Sequence, residues 1–117
     1  MTTSELDPTT LRQTLKQRLD DLRQSSASTA DSRKPVALDQ ASVGRLSRMD
    51  AMQMQAMAQA AERMRVREIS RVEAALERLD AGDFGYCVTC GEKIGEKRLA
   101  TDPTIPTCIT CAAAADR

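Results

Sequence analysis

Four cysteines constrain this chain more than any other feature. They are grouped as Cys87-x-x-Cys90 and Cys108-x-x-Cys111, with seventeen residues between the pairs. That spacing is the one expected of a four-cysteine zinc site. Zn²⁺ takes four soft ligands in a tetrahedron, and each C-x-x-C supplies two of them from one tight turn. Gly91, directly after Cys90, suits such a turn because it accepts positive φ without a Cβ clash. Four thiolates fill the coordination sphere and leave no position for water or substrate, so one structural zinc is expected, held by Cys87, Cys90, Cys108 and Cys111. Iron with four cysteine ligands obeys the same ligand logic and stays open as an alternative. Disulfides belong to oxidising compartments, and Met1 opens onto a polar segment with no apolar signal-peptide core. A thioredoxin-like redox pair needs a βαβ setting that the pattern lacks.

Charge bears on partners. In 117 residues, Lys+Arg and Asp+Glu are both 17, so no global field draws the chain to nucleic acid or anionic membrane. From Gly82 onward the acids are Asp83, Glu92, Glu96, Asp102 and Asp116, against Lys93, Lys97, Arg98 and Arg117. A DNA-gripping finger needs a cationic footprint, and this one has none. Aromatic content is 2%, Phe84 and Tyr86, which leaves no stacking platform for single strands and casts both rings as cover for the metal turn. No apolar run reaches the length of a membrane span. The expectation is a soluble cytoplasmic monomer.

Periodicity sets the remainder as mainly α. Asp7-Pro8 offers an N-cap followed by proline at the first helical position. Leu11, Leu15, Leu19 and Leu22 then form one narrow stripe, predicting a helix over about residues 8–25 that suits a two-helix seam. Residues 25–34 lose the period and read as a fraying end or connector, and Pro35 biases Lys34 away from helix. A second helix is predicted from about Arg45 to Asp80, with Gly82 as its C′ glycine. Its inward face is expected to carry Leu46, Met49, Ala56, Ala60, Met64, Ile69, Val72, Leu76 and Leu79, in a coiled-coil rhythm towards the end. Met49, Met52, Met54, Met57 and Met64 read as adaptable packing residues. Arg63, Arg65, Arg67 and Arg71, interleaved with Glu62, Glu68 and Glu73, read as a solvated face with i,i+3 pairs. After Cys111 the alanine run predicts a short final helical turn.

The expected fold is therefore a long antiparallel two-helix coiled-coil hairpin over residues 1–81, with its tip at about 26–44. A small four-cysteine zinc-finger module with a short C-terminal helix follows over 82–117. Nothing nominates catalysis: there is no histidine, no Gly-rich phosphate loop and no nucleophile beside a base.

The run G-D-F-G-Y-C-x-x-C-G-x-x-I-x-x-x-R-L-x-x-x-P-T, then C-I-x-C, from Gly82 through Cys111, resembles the DksA/TraR zinc-finger proteins of bacteria. The preceding helix–turn–helix is similar to that family's layout. The resemblance implies a transcription regulator that binds RNA polymerase, inserts its coiled coil into the secondary channel and brings an acidic tip near the catalytic centre. The family's tip pattern is D-x-x-D-x-A. Here Asp39, Gln40 and Ala41 match its second half, which makes Asp39 and Ala41 the tip candidates, while Val36 stands in place of the first Asp. Guanosine tetraphosphate is possible as a co-regulator but has no support in the sequence. The alternative for Arg63, Arg65, Arg67 and Arg71 is that some meet acidic polymerase surfaces or an anionic nucleotide. The second reading is a zinc-stapled coiled-coil module that dimerises or scaffolds another protein partner through its methionine-rich helix face.

Overall fold

The computed structural model describes residues 7–34 and 45–115. Its order is α1 (Pro8–Ser28), a 3-10 turn (Ala30–Arg33), α2 (Arg45–Ala81), α3 (Glu96–Thr101) and α4 (Ile109–Ala115). Among the described residues, β pairing is confined to a single antiparallel bridge between Tyr86 and Lys93. No described helix is long and apolar enough to cross a membrane. The mainly helical class and the two long helices followed by a cysteine module are as expected. Helix α3, inside the cysteine module, was not anticipated.

Packing falls into two compact units, Met1–Asp20 with Ser70–Arg117, and Asp21–Ile69. In the first, α1 starts where Asp7-Pro8 predicts. The Asp7 carboxylate accepts the Thr10 N–H at 3.2 Å, satisfying one N–H that lacks an intrahelical partner, and the Asp7 carbonyl accepts that of Leu11 at 2.9 Å as the first bond of the helix. Leu11, Leu15 and Leu19 are buried, as are Val72 and Ala75 on α2. The helices run antiparallel, with Arg12 of α1 donating to Asp80 near the end of α2 at 2.9 Å. Helix α2 ends at Gly82, whose φ of 80° is a conformation that glycine alone adopts without strain. There the Gly82 N–H reaches the Leu79 carbonyl at 3.3 Å and the Asp83 N–H reaches that of Arg78 at 2.9 Å. This paired pattern is a Schellman cap, and it turns the chain straight into the cysteine module.

The second unit is built differently. None of its described residues is buried. Polar groups join its two helices instead. The Ser26 hydroxyl donates to Glu62 at 2.6 Å, and Arg33 lies 3.3 Å from the same carboxylate. Arg65 bonds Glu62 at 3.0 Å and the Thr29 hydroxyl at 3.0 Å. The Ser26 hydroxyl first, then the Arg65 and Arg33 guanidiniums, outweigh partial burial and hold the Glu62 carboxyl below its ordinary value.

Two expectations about α2 are corrected here. Met49, Met52, Met54, Met57 and Met64 are between 49% and 70% exposed, so they are not packing residues among the described residues. Met49 and Met64 therefore leave the inward stripe, and Ala56 is exposed as well. The reason is polar: Gln55, Glu62 and Arg65 take the side of α2 that meets Thr29, Arg33 and Lys34. Towards the end of α2 the stripe is apolar, but Val72 and Ala75 are its buried members, while Leu76 and Leu79 are only half-buried. The side chain of Leu46 lies outside the described residues, as do residues 35–44 of the expected tip.

Val72→Asp should lower stability by about 3 kcal/mol or more, because its carboxylate would be buried without a partner. Met64→Asp should stay within about 0.5 kcal/mol of the parent. Thermal melts of the two variants check the position of the seam.

Candidate metal centre

The module after α2 draws its four cysteines together from two knuckles. The first follows Tyr86, where the Cys87 N–H donates to the Glu92 carbonyl at 2.7 Å and the Gly91 N–H returns to the Cys87 carbonyl at 2.9 Å. Gly91 has φ 79°, the left-handed conformation the sequence anticipated for it. The second knuckle opens α4, with the Ala112 N–H bonded to the Cys108 carbonyl at 2.9 Å. A bond from the Val88 N–H to the Pro106 carbonyl at 2.9 Å ties the knuckles to each other.

All four Sγ atoms lie within 4.8 Å of one another, and all four residues are free thiols. Cys90 Sγ and Cys108 Sγ are 3.7 Å apart. A tetrahedron with Zn–S bonds of about 2.3 Å requires sulfur–sulfur edges of about 3.8 Å, so the donor set fits Zn²⁺. Backbone N–H groups aim at sulfur, from Thr89 to Cys87 and from Cys111 to Cys108, each at 3.4 Å. Those groups, that of Cys90 first and those of Cys108 and Thr89 after it, hold the Cys87 thiol down to about 6. The neighbouring thiols, Cys108 first, push Cys111 up to about 12. The cluster thus resists ionising all four sulfurs by itself, and a divalent cation at its centre removes that resistance.

Cys87, Ile94 and Leu99 are the buried core of the module, with Phe84, Ile105, Cys108 and Cys111 packed against them. Phe84 has the covering role expected of it, whereas Tyr86 is 45% exposed. Helix α3 places Leu99 in that core, and the Ile94 N–H bonds the Gly85 carbonyl at 2.9 Å.

Asp102, which sequence reading passed over, fastens the module to both long helices. Arg71 of α2 donates to its carboxylate at 3.2 Å and Arg18 of α1 lies 3.6 Å away. The same carboxylate accepts the Thr104 N–H at 3.0 Å and the Thr104 hydroxyl at 2.7 Å, and Thr104 is 1% exposed. Burial pushes the Asp102 carboxyl up, but the two Thr104 bonds and the Arg71 and Arg18 cations outweigh it and hold the group below its ordinary value. The visible signal was Asp-Pro-Thr, a turn in which an Asp side chain bonds the backbone two residues on. Arg71 is thereby engaged with the module, apart from the solvated arginine face expected of it. The other predicted site residues, Asp39 and Ala41, lie outside the described residues.

The prokaryotic dksA/traR C4-type zinc finger matches residues 82–117. This segment is a zinc finger of the DksA/TraR family. The RNA polymerase-binding transcription factor DksA of Haemophilus influenzae is 51% identical to this chain over 43 residues, which are 37% of this chain and 30% of that protein. Its namesake from Escherichia coli is 44% identical over 43 residues, 37% of this chain and 28% of its own length. The chain thus matches less than a third of either relative. Transcription factor DksA2 from Pseudomonas aeruginosa has a similar structure, with a TM-score of 0.71 and 21% identity, over 93% of this chain and 82% of that one. That likeness is one of fold. A C4-type DksA/TraR finger and four gathered sulfurs together make zinc the structural metal of this chain.

Removing zinc with a chelator, or Cys87→Ser, should unfold residues 82–117 while much of α2 stays helical. A core of three buried residues is too small to hold the module without its metal. Metal analysis with helicity measurement before and after chelation checks this. Asp102→Ala should cost about 2 kcal/mol, since it strands the buried Thr104 hydroxyl as well as two guanidiniums. Asp80→Ala, which breaks only the exposed pair with Arg12, should cost less than about 1 kcal/mol. Melting of the zinc-loaded variants separates the two.

Proposed function

We propose that this chain is a bacterial transcription regulator that binds RNA polymerase through its helical hairpin, with zinc as a structural staple and no catalytic role. The observation that carries the reading is the finger itself, at 51% identity over 43 residues to a protein named as an RNA polymerase-binding transcription factor. The fold likeness to transcription factor DksA2 supports it across the two helices. In this reading residues 1–81 are the polymerase-binding hairpin and residues 82–117 the finger that braces its base. The hairpin enters the secondary channel, and Asp39 delivers a carboxylate towards the catalytic centre beside Ala41. An exposed carboxylate there acts on nearby Mg²⁺ or basic residues through its charge. The finger does not bind DNA, because it has no excess of cations and its zinc–thiolate centre adds negative charge. The protein works in the cytoplasm, where its polymerase is.

The exposed methionines favour a second reading, in which α2 docks a protein partner or a second copy of the chain. Five methionines on the described part of α2 are at least 49% exposed, and a flexible thioether surface adapts to many partners.

Gel filtration with purified polymerase holoenzyme should give a complex, and a parallel titration with duplex DNA at physiological salt should give none. The reverse pair of results overturns the leading reading. Asp39→Asn should keep zinc and polymerase binding but reduce the effect in transcription by purified polymerase. An undiminished effect removes the tip role. A stable dimer in light scattering, dispersed by Met57→Lys with Met64→Lys, would favour the second reading.

A further inference from the structure

Among the described residues, Nη2 of Arg78 is the one side-chain nitrogen or oxygen that is fully buried and has no hydrogen-bond partner. Arginine stays protonated in proteins, so one edge of a cation is turned away from water with no acceptor opposite it, although the side chain as a whole is half-buried. Such a group is costly unless an anion stands close by. Burial also pushes the Arg78 guanidinium below its ordinary value. The position of the residue is fixed by the Schellman cap, where the Arg78 carbonyl receives the Asp83 N–H at 2.9 Å. The side chain therefore leaves α2 in its last turn, at the entrance to the first knuckle.

A cavity of about 400 Å³ lies there, lined by Arg78, Asp83, Tyr86, Cys87, Val88 and Gly91. Two of these residues can offer an anion. Asp83 is exposed, so its carboxylate is served by water, and no ion pair joins it to Arg78. Cys87 is 3% exposed, and it is the buried ligand of the metal site. Four thiolates around one divalent ion make a dianion. No other described residue in that wall carries a positive charge.

We propose that Arg78 is the charge partner of the zinc–thiolate centre, the inward Nη2 edge of its guanidinium offsetting the dianion from the Cys87 side of the site. Nη2 makes no hydrogen bond, so the interaction is one of charge alone, between a nitrogen shielded from water and the buried Cys87 in the same wall. The offset has two effects. It strengthens metal binding, because ionised ligands cost less beside a cation. It also lowers the nucleophilicity of the bound thiolates, because electron density on sulfur is drawn towards the positive charge. Arg78 is a positioning and charge-balancing residue that does not ligate the metal. The inference rests on the zinc site and is independent of polymerase binding.

The test uses the full zinc-loaded chain and four variants, Arg78→Lys, Arg78→Met, Arg78→Gln and Asp83→Asn. Zinc affinity is measured by competition with a chromophoric chelator at low salt, and thiolate reactivity by the rate of alkylation with iodoacetamide. Arg78→Met should weaken zinc binding about tenfold or more, as loss of an outer-shell partner does, and should speed alkylation several-fold. Arg78→Lys should restore most of both, since it keeps the charge, whereas Arg78→Gln should behave like Arg78→Met. Asp83→Asn should change neither. If Arg78→Met does not fold, the Lys and Gln variants read the same difference. Affinity and alkylation at parent values in Arg78→Met or Arg78→Gln overturn the proposal. So does Arg78→Lys as impaired as Arg78→Gln, which would assign the side chain a shape role only. Asp83→Asn reproducing the Arg78→Gln defect would overturn it too, by making Asp83 the anion that Arg78 serves.

Discussion

Four sulfurs converging on one metal are the constraint on which the C-terminal third depends. The module offers only Cys87, Ile94 and Leu99 as buried apolar residues, and one of the three is itself a ligand. Burial on that scale cannot offset the conformational entropy of some thirty ordered residues, at about 1–2 kcal/mol each. The metal supplies what the core lacks, because its binding energy is gained only when both knuckles are in place. Helices α3 and α4 are too short to form by themselves and are held by this closure. The thiols make the dependence sharper. With Cys87 held down to about 6 and Cys111 pushed up to about 12, the sulfurs oppose one another until a cation joins them.

The metal closes the module, but it does not by itself direct the module towards the helices. Asp102 does that, by facing Arg71 and Arg18 with one carboxylate while fixing the turn through Thr104. Isolated exposed ion pairs contribute little, and the Arg12–Asp80 pair, with side chains 38% and 69% exposed, is of that kind. Asp102 differs because its side chain is 26% exposed and because the Thr104 hydroxyl beneath it has no water to turn to. The Schellman cap at Gly82 is the other fixed joint, and it is made wholly of backbone. One joint is polar and the other conformational, and together they set where the first knuckle begins relative to the end of α2.

What was legible in the sequence follows from the range of each interaction. The cysteine spacing, the Asp7-Pro8 start and the Gly82 stop are local signals with fixed offsets, and the structure has all three where they were read. The leucine stripe of α1 is legible for the same reason, as a 3.6-residue period in one helix. The face of α2 was not legible over its first half. There the methionines, with Ala56 and Ala61, lie on the outside, while the side meeting α1 carries Gln55, Glu62 and Arg65. A rule that assigns apolar residues to the interior reads this helix inside out, because it has no means of knowing that Ser26, Thr29 and Arg33 wait on the partner. Asp102 escaped for a related reason. Its partner Arg71 is 31 residues away, and that separation leaves no local pattern.

The contrast between the two units has a physical consequence for function. Every buried apolar side chain among the described residues belongs to the unit containing the metal site, and none belongs to Asp21–Ile69. Hydrogen bonds and ion pairs at a partly solvated seam contribute about 1 kcal/mol or less each. They do specify register, since Glu62 finds Ser26, Arg33 and Arg65 only in one alignment of the helices. A polar seam thus fixes how the helices of this unit align while leaving them less resistant to local opening than an apolar core would. The same unit displays the methionines. Their apolar surface is withheld from the interior among the described residues, and a polar seam is what allows it to be, because the helices of this unit pair through polar groups. Exposed methionines on α2 and a hydrophilic seam are then two sides of one sequence choice: the apolar residues that would have stabilised the helix pair face away from the other described residues.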